Sequence, residues 1–251
     1  MFQGATLNNL SFIDFPRLYG APLLEPEQAK PLLKWPDIQW RPQKSAYETA
    51  HAWIKAGKVS GGGIPAPARA VLDQAQEWKN AKVVIGLFEH ATALDTQIGP
   101  SNTDILVVCD IASGLGAMAV EGKAGEDFDK LVKTYRLQSP GKAARFRWAC
   151  EQFGIQPDDC GDLRWQLFHR TLSAAIEAKR FKSSQAVMLV HDFSGADSHF
   201  DDYAAFAAAI GYVDIAPGKI TAARCLHGVS LRLGWVSDKP APYPAPNATT
   251  R

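Results

Sequence analysis

The chain has little that would cross-link it, charge it strongly or hold it in a membrane. Its four cysteines (Cys109, Cys150, Cys160 and Cys225) are scattered, with no C-x-x-C pair. That argues against a zinc ribbon and gives no reason for a disulfide framework in a chain of 251 residues. Lysine and arginine total 27 against 26 acids, a net charge of +1. No global positive field draws in a polyanion, so any nucleic-acid contact must come from a local patch. There is no apolar run of 18 residues and no basic leader ahead of a long apolar stretch. Neither a membrane span nor a signal peptide is expected, and the expected location is the cytoplasm. A Gly-x-Ser-x-Gly elbow is missing, as is a phosphate-binding loop ending in Lys-Ser/Thr; Gly61-Gly-Gly63 has no strand before it and no Lys after it. Esterase and nucleoside-triphosphatase readings are therefore weak.

What the chain does have is apolar material: 46% hydrophobic residues, with seven Trp and twelve Phe. That suits one large core with an attached extension. Residues 1–62 read as a Pro- and Trp-rich extension, with Trp35 and Trp40 as anchors and one helix packed on the core, started by a capping box at Ser45-Ala-Tyr-Glu48. Residues 63–237 read as the core domain. From Asp238 the chain holds four Pro and no core pattern, and a loose tail over 238–251 is expected. Within the core, helices are predicted over Pro65–Trp78, Glu126–Tyr135, from Ser139-Pro140 to Gly154, over Trp165–Arg180 and over His199–Ile210. Val83–Leu94 is ambiguous between helix and strand. Ala186–His191 reads as a buried strand and Arg224–Val236 as a half-exposed one, with Cys109 and Cys225 as buried thiols. This order predicts an α/β protein with a mixed sheet flanked by helices.

Two apolar runs carry the chemistry. Asp104 opens Asp-Ile-Leu-Val-Val-Cys; Glu121 and Lys123 close Ala117-Met-Ala-Val-Glu-Gly-Lys; the turn-rich Ser113-Gly-Leu-Gly lies between them. Two strands joined by a turn follow. Residues two apart on a strand share a face, so Glu121 and Lys123 point the same way. Charges on one face of an apolar strand are costly to bury unless something uses them. With Asp104 beside them they make two carboxylates and an ammonium at one point, which suits a hard divalent cation and a water held against phosphate. An acid-x-Lys triplet alone is weak. Another, Glu177-Ala-Lys179, lies in a helical pattern, where positions two apart do not face each other.

The segments Pro100-Ser-Asn-Thr-Asp104-Ile-Leu-Val-Val and Ala119-Val-Glu121-Gly-Lys123-Ala-Gly-Glu126-Asp-Phe128 resemble the core of the PD-(D/E)XK nuclease superfamily. More narrowly, with Trp40-Arg-Pro-Gln-Lys-Ser-Ala and Gln166-Leu-Phe-His169-Arg170-Thr, the chain resembles an uncharacterised bacterial group of predicted restriction-endonuclease-like proteins. One departure is Thr103 directly before Asp104, where the superfamily often has Pro; Pro100 lies four positions upstream. The resemblance implies a restriction-endonuclease-like fold and a Mg2+- or Mn2+-dependent nuclease acting on DNA rather than RNA. It implies Asp104, Glu121 and the Gly122 carbonyl as metal ligands, and Lys123 acting on the attacking water. Glu89, as an acid from the helix before the first motif strand, would join the metal set.

Gln166 and Arg170, four apart on a helix, share a face, and are expected to orient and bind a scissile phosphate. Lys130, Lys133, Arg136, Lys142, Arg145 and Arg147 lie in a stretch with no acid, the main candidate for phosphate-backbone contact, with Trp148 beside it. Glu126 reads as a first-turn helix acid. His169 reads as a packing or hydrogen-bonded residue. His191, Asp192, Asp197, His199, Asp201 and Asp202 match no metal-ligand spacing; Asp197–Asp202 reads as the start of a helix, although a hydrolase built there is a third reading. The second reading is a non-catalytic nucleic-acid-binding or regulatory module. Endonucleases that cut both strands are often dimers, so a homodimer stays open.

Overall fold

The computed structural model describes residues 23–59, 62–95 and 99–240. The readings on residues 1–22, on Gly61 and on the tail past Pro240 lie outside them. The apolar runs build one six-stranded mixed sheet. Strands β1 (Lys82–Thr92), β2 (Ser101–Ile111) and β3 (Gly114–Lys123) form an antiparallel meander. The chain then leaves the sheet through helices before β4 (Gln185–Asp192) joins β3 in parallel. Strand β6 (Val229–Ser237) lies parallel to β4, and the short β5 (Arg224–Leu226) pairs antiparallel to β6 at the edge. The spatial order is β1-β2-β3-β4-β6-β5.

Both faces are covered. Helix α6 (Trp165–Arg180) lies over one face, where Phe168 and Leu172 pack with Ala117, Ala119, Met188 and Val190. Helices α2 (Ser45–Gly57) and α3 (Ala66–Leu72) cover the other, where Trp53, Val71 and Trp78 pack with Met118, Val120, Val187 and Leu189. The period-2 alternation of β3 therefore assigns odd residues to the α6 face and even residues to the α2–α3 face. Trp53 of α2 shares a core cluster with Val71 and Trp78, so the helix of the N-terminal extension packs on the body of the protein. Helix α5 (Pro140–Phe153) starts where Ser139 Oγ accepts from Lys142 N at 3.2 Å and stops at Gly154, whose φ of 69° is left-handed.

Several expectations change. Residues 83–94, ambiguous by pattern, belong to β1 up to Thr92. The helix expected over 126–135 shrinks to α4 (Val132–Arg136) because the segment before it is held by α6: Lys130 O accepts from Trp165 N at 3.0 Å, and Leu131 bridges Arg164. The helix expected to reach Trp78 ends at Leu72 and continues as turns. The 224–236 segment is broken by a turn at His227-Gly228. Its longer half is an interior strand, mostly buried rather than half-exposed. Cys225 lies on edge strand β5 and is exposed, while Cys109 is buried as expected. Trp40 packs edge-on against Tyr47 at 5.3 Å, but Trp35 is exposed rather than an anchor. At the start of α2 the cap residue is Lys44, and Glu48 reaches back to Gln43 N at 2.9 Å instead of closing a box on Ser45. Short helix α1 (Pro36–Gln39) precedes it, and α7 (Phe200–Ala209) follows β4. Among the described residues no helix is long and apolar enough to cross a membrane.

Candidate active site

The site lies where the parallel strands β3 and β4 end. Alternation sends the Glu121 and Lys123 side chains to the α6 face and turns Gly122 towards α2. Glu121 and Lys123 are 2% and 5% exposed. The Lys123 ammonium donates to Glu121 Oε1 at 2.9 Å and to Gln166 Oε1 at 3.0 Å, and lies 4.9 Å from the centre of the Phe128 ring. Gln166 Nε2 donates to the same Glu121 oxygen at 2.6 Å, and Arg170 Nε donates to Glu121 Oε2. Thus both oxygens of Glu121 are engaged by α6 or by Lys123. Arg170 also donates to Ser101 Oγ at 2.9 Å, and Ser101 lies 2.8 Å from His169 Nδ1. Burial, then the cations Arg170, Arg145 and Lys123, push His169 well below its usual range, so it stays neutral.

Asp104 sits one step beyond the last pair of the β2–β3 ladder, Ile105 with Val120. Its Oδ2 accepts from Gly122 N at 2.8 Å. Glu89 lies between the pairs Phe88–Ile105 and His90–Thr103, which sets it opposite Asp104. It lies on a strand, β1, and not on the helix expected ahead of the first motif strand. Its φ of 49° is left-handed, an unusual state for Glu inside a strand.

The three acids titrate apart. Burial, reinforced by Glu121 and Glu89 and opposed by Arg170 and Lys123, raises Asp104 to about 8. Burial also raises Glu89 to about 7, with Arg170 opposing and Glu121 adding. Glu121 feels the same burial, but Arg170 and Lys123 outweigh it and hold the carboxylate below its usual range. Between pH 5 and 7 the fold retains protons on Glu89 and Asp104 that the unfolded chain has lost. Stability should therefore decline as pH rises from about 4.5 through 8. Glu121 has the opposite sign, and its contribution is lost only on acidification. Melting temperatures of the parent, Glu89→Gln and Asp104→Asn across pH 5–8.5 check this, with shallower declines expected in both variants. Equal slopes in all three would refute it.

Gly122 is confined. A Cβ there would sit 2.0 Å from Thr49 Oγ1 and 3.4 Å from Asp104 Oδ2. Gly122→Ala should destabilise the fold by about 1–3 kcal/mol, because α2 and β3 must part to admit a methyl. Denaturant midpoints measure it, and an unshifted midpoint would show that the helix yields freely.

The remaining expected site residues scatter. Arg170 and Gln166 face the acid pair, but Arg170 is bound to Glu121 and Ser101 rather than offered to a phosphate. Arg145 is not a surface cation: it is 6% exposed and clamps Asp95 through Nη2 at 2.6 Å and Nε at 2.8 Å. Lys133 pairs with Asp162 at 2.5 Å and Arg136 with Asp158 at 3.7 Å, acids that follow the patch in sequence and fold back onto it. Lys142 bonds Gln138, and Arg147 is exposed. Glu126 accepts from Ser45 N at 3.0 Å and Ala124 N at 2.8 Å, so it ties a loop instead of opening a helix. His191 is held by Trp53 Nε1 at 3.2 Å and Asp238 at 3.0 Å; Asp197 accepts from Trp235 Nε1 at 2.8 Å; His199 meets Asp127 at 3.1 Å. These are structural ties. Among the described residues no three His, Cys, Asp or Glu side chains converge as a ligand set. Sequence reasoning misses Thr49 and Ser101. A Thr inside an amphipathic helix carries no signal, and Ser101 is marked only by lying three residues before Asp104.

Fold and site together define an α/β protein with a buried acid–lysine pair at the end of a mixed sheet. The chain belongs to the family described as a domain of unknown function, DUF6946, whose model matches residues 22–240. No curated protein and no solved structure matches the chain.

Proposed function

We propose that the protein is a metal-dependent phosphodiesterase of the PD-(D/E)XK type, a nuclease with DNA as its substrate and a restriction-endonuclease-like core. The observation that carries this reading is the placement of Asp104 on the Gly122 amide while Glu121 and Lys123 pair at 2.9 Å on the adjoining stretch of β3. Carboxylates and backbone carbonyls are the donors that hard cations such as Mg2+ or Mn2+ prefer, and the Thr49 hydroxyl is a buried oxygen with no hydrogen-bond partner among the described residues. The donor set therefore fits the metal. When bound, the cation would supply Lewis-acid charge to the phosphate and lower the pKa of a water. Asp104 would hold it. Lys123 would orient the water and offset charge building on the phosphate, with Gln166 and Glu121 fixing the ammonium. The test is incubation with linear DNA, circular DNA and single-stranded RNA in Mg2+ or Mn2+, with Asp104→Asn alongside. Cleavage by the parent and none by the variant is expected; cleavage undiminished in Asp104→Asn would overturn the assignment.

A second reading is a nucleic-acid-binding or regulatory module without chemistry. The three donors already bound to Glu121, and Phe128 packed over Lys123, favour it. DNA binding with no cleavage under any of these conditions would select it.

A further inference from the structure

Glu121 has little left to offer a cation. Its Oε1 takes Lys123 and Gln166, and its Oε2 takes Arg170. On the other side of Asp104 the situation is reversed. Thr49, from α2, is 1% exposed, yet its Oγ1 has no hydrogen-bond partner among the described residues. An unpaired buried hydroxyl costs free energy unless something fills its place. Thr49, Glu89 and Asp104 line one cavity of about 10 Å³, walled by Leu33, Trp40 and Phe88. That is room for one water-sized occupant. A Cβ at Gly122 would lie 2.0 Å from Thr49 Oγ1 and 3.4 Å from Asp104 Oδ2, so both oxygens border Gly122.

We infer that the divalent cation of this protein sits on the α2 side of Asp104, with the Thr49 hydroxyl and the Glu89 and Asp104 carboxylates as its oxygen donors. Glu121 is then the counter-ion that fixes Arg170 and Lys123 beside the metal. The inference rests on the metal-dependent reading above only in sharing Asp104. It assigns α2, which lies outside the motif strands, a direct part in the site. Two carboxylates and a hydroxyl around a space of this size suit a small hard cation.

The experiment is calorimetric titration of the full chain with MnCl2 alone, for the parent, Thr49→Val, Thr49→Ser, Glu89→Gln and Glu121→Gln. Thr49→Val keeps the shape and removes the oxygen, and should weaken Mn2+ binding roughly tenfold, the scale of one lost polar contact. Thr49→Ser should restore it. Glu89→Gln should weaken binding more than Glu121→Gln does. Binding unchanged in Thr49→Val or in Glu89→Gln, or weakened most in Glu121→Gln, overturns the inference, as does a parent that takes up no Mn2+ at millimolar concentration. Should Glu121→Gln fail to fold, the Thr49 and Glu89 variants decide alone. Cleavage assays fail separately: Thr49- and Glu89-dependent binding without cleavage removes the nuclease reading and leaves the cation site standing. Cleavage with Mn2+ binding indifferent to Thr49 and Glu89 does the reverse.

Discussion

Arg170→Met should destabilise the fold by about 3–5 kcal/mol, the largest stability effect expected from any single change at the site. Arg170 is 7% exposed and Glu121 2%, and the guanidinium also serves Ser101. Removing it leaves Glu121 buried with only Lys123 and Gln166 as donors, and raises the cost of keeping it charged. In a domain of this size the melting temperature should fall by roughly 10 °C. The double variant Arg170→Met with Glu121→Gln should recover part of the loss, because the uncompensated charge goes with its partner. Thermal and denaturant unfolding of the single and double variants measure this. A single variant within about 1 kcal/mol of the parent would mean that water reaches Glu121 readily, and that the site is more open than its burial indicates.

Lys123→Met should reduce phosphodiester cleavage by about 10²–10⁴-fold, the range for losing a group that acts on a proton or on developing charge. Mn2+ affinity should hold or rise, since a positive charge beside the acids disappears. Methionine preserves much of the buried length of the side chain, so packing against Phe128 survives. The comparison requires measurable cleavage by the parent. If Lys123→Met then cuts as fast as the parent, Lys123 is only the partner of Glu121 and the chemistry lies elsewhere.

Much of this arrangement is legible in the residues alone. The alternation in β2 and β3 places Glu121 and Lys123 on one face, and the apolar stripe Phe168–Leu172 sets the rotation of α6 on the sheet, which brings Gln166 and Arg170 to the acid pair. What the pattern cannot convey is partnership. Arg145 looks like a surface cation until Asp95, fifty residues earlier, closes on it. The patch over 130–147 looks acid-free until Asp158 and Asp162 fold back. The i, i+3, i+4 spacing of Phe128, Leu131 and Val132 predicts a helix from 126, but hydrogen bonds to Arg164 and Trp165 fix an extended path first. Glu89 is expected on a helix and lies on strand β1, and its left-handed backbone has no mark in the residue types around it. Tertiary pairing decides each of these, and local sequence does not encode it.

The strand order also sets a sequence of events in time. β1, β2 and β3 are consecutive and adjacent, so Glu89, Asp104 and Glu121 gather through short loops. β4 reaches β3 only after some sixty residues of crossover that include α6, the source of Gln166 and Arg170. Loop closure delays such distant docking relative to a meander. During folding the acids and Lys123 would assemble first, and Gln166 and Arg170 would arrive last. Arg170→Met should therefore speed unfolding while leaving the refolding rate nearly unchanged, with a φ-value near zero in stopped-flow chevrons, whereas Val107→Ala in β2 should slow refolding. A φ-value near one for Arg170 would instead make the docking of α6 part of the nucleus.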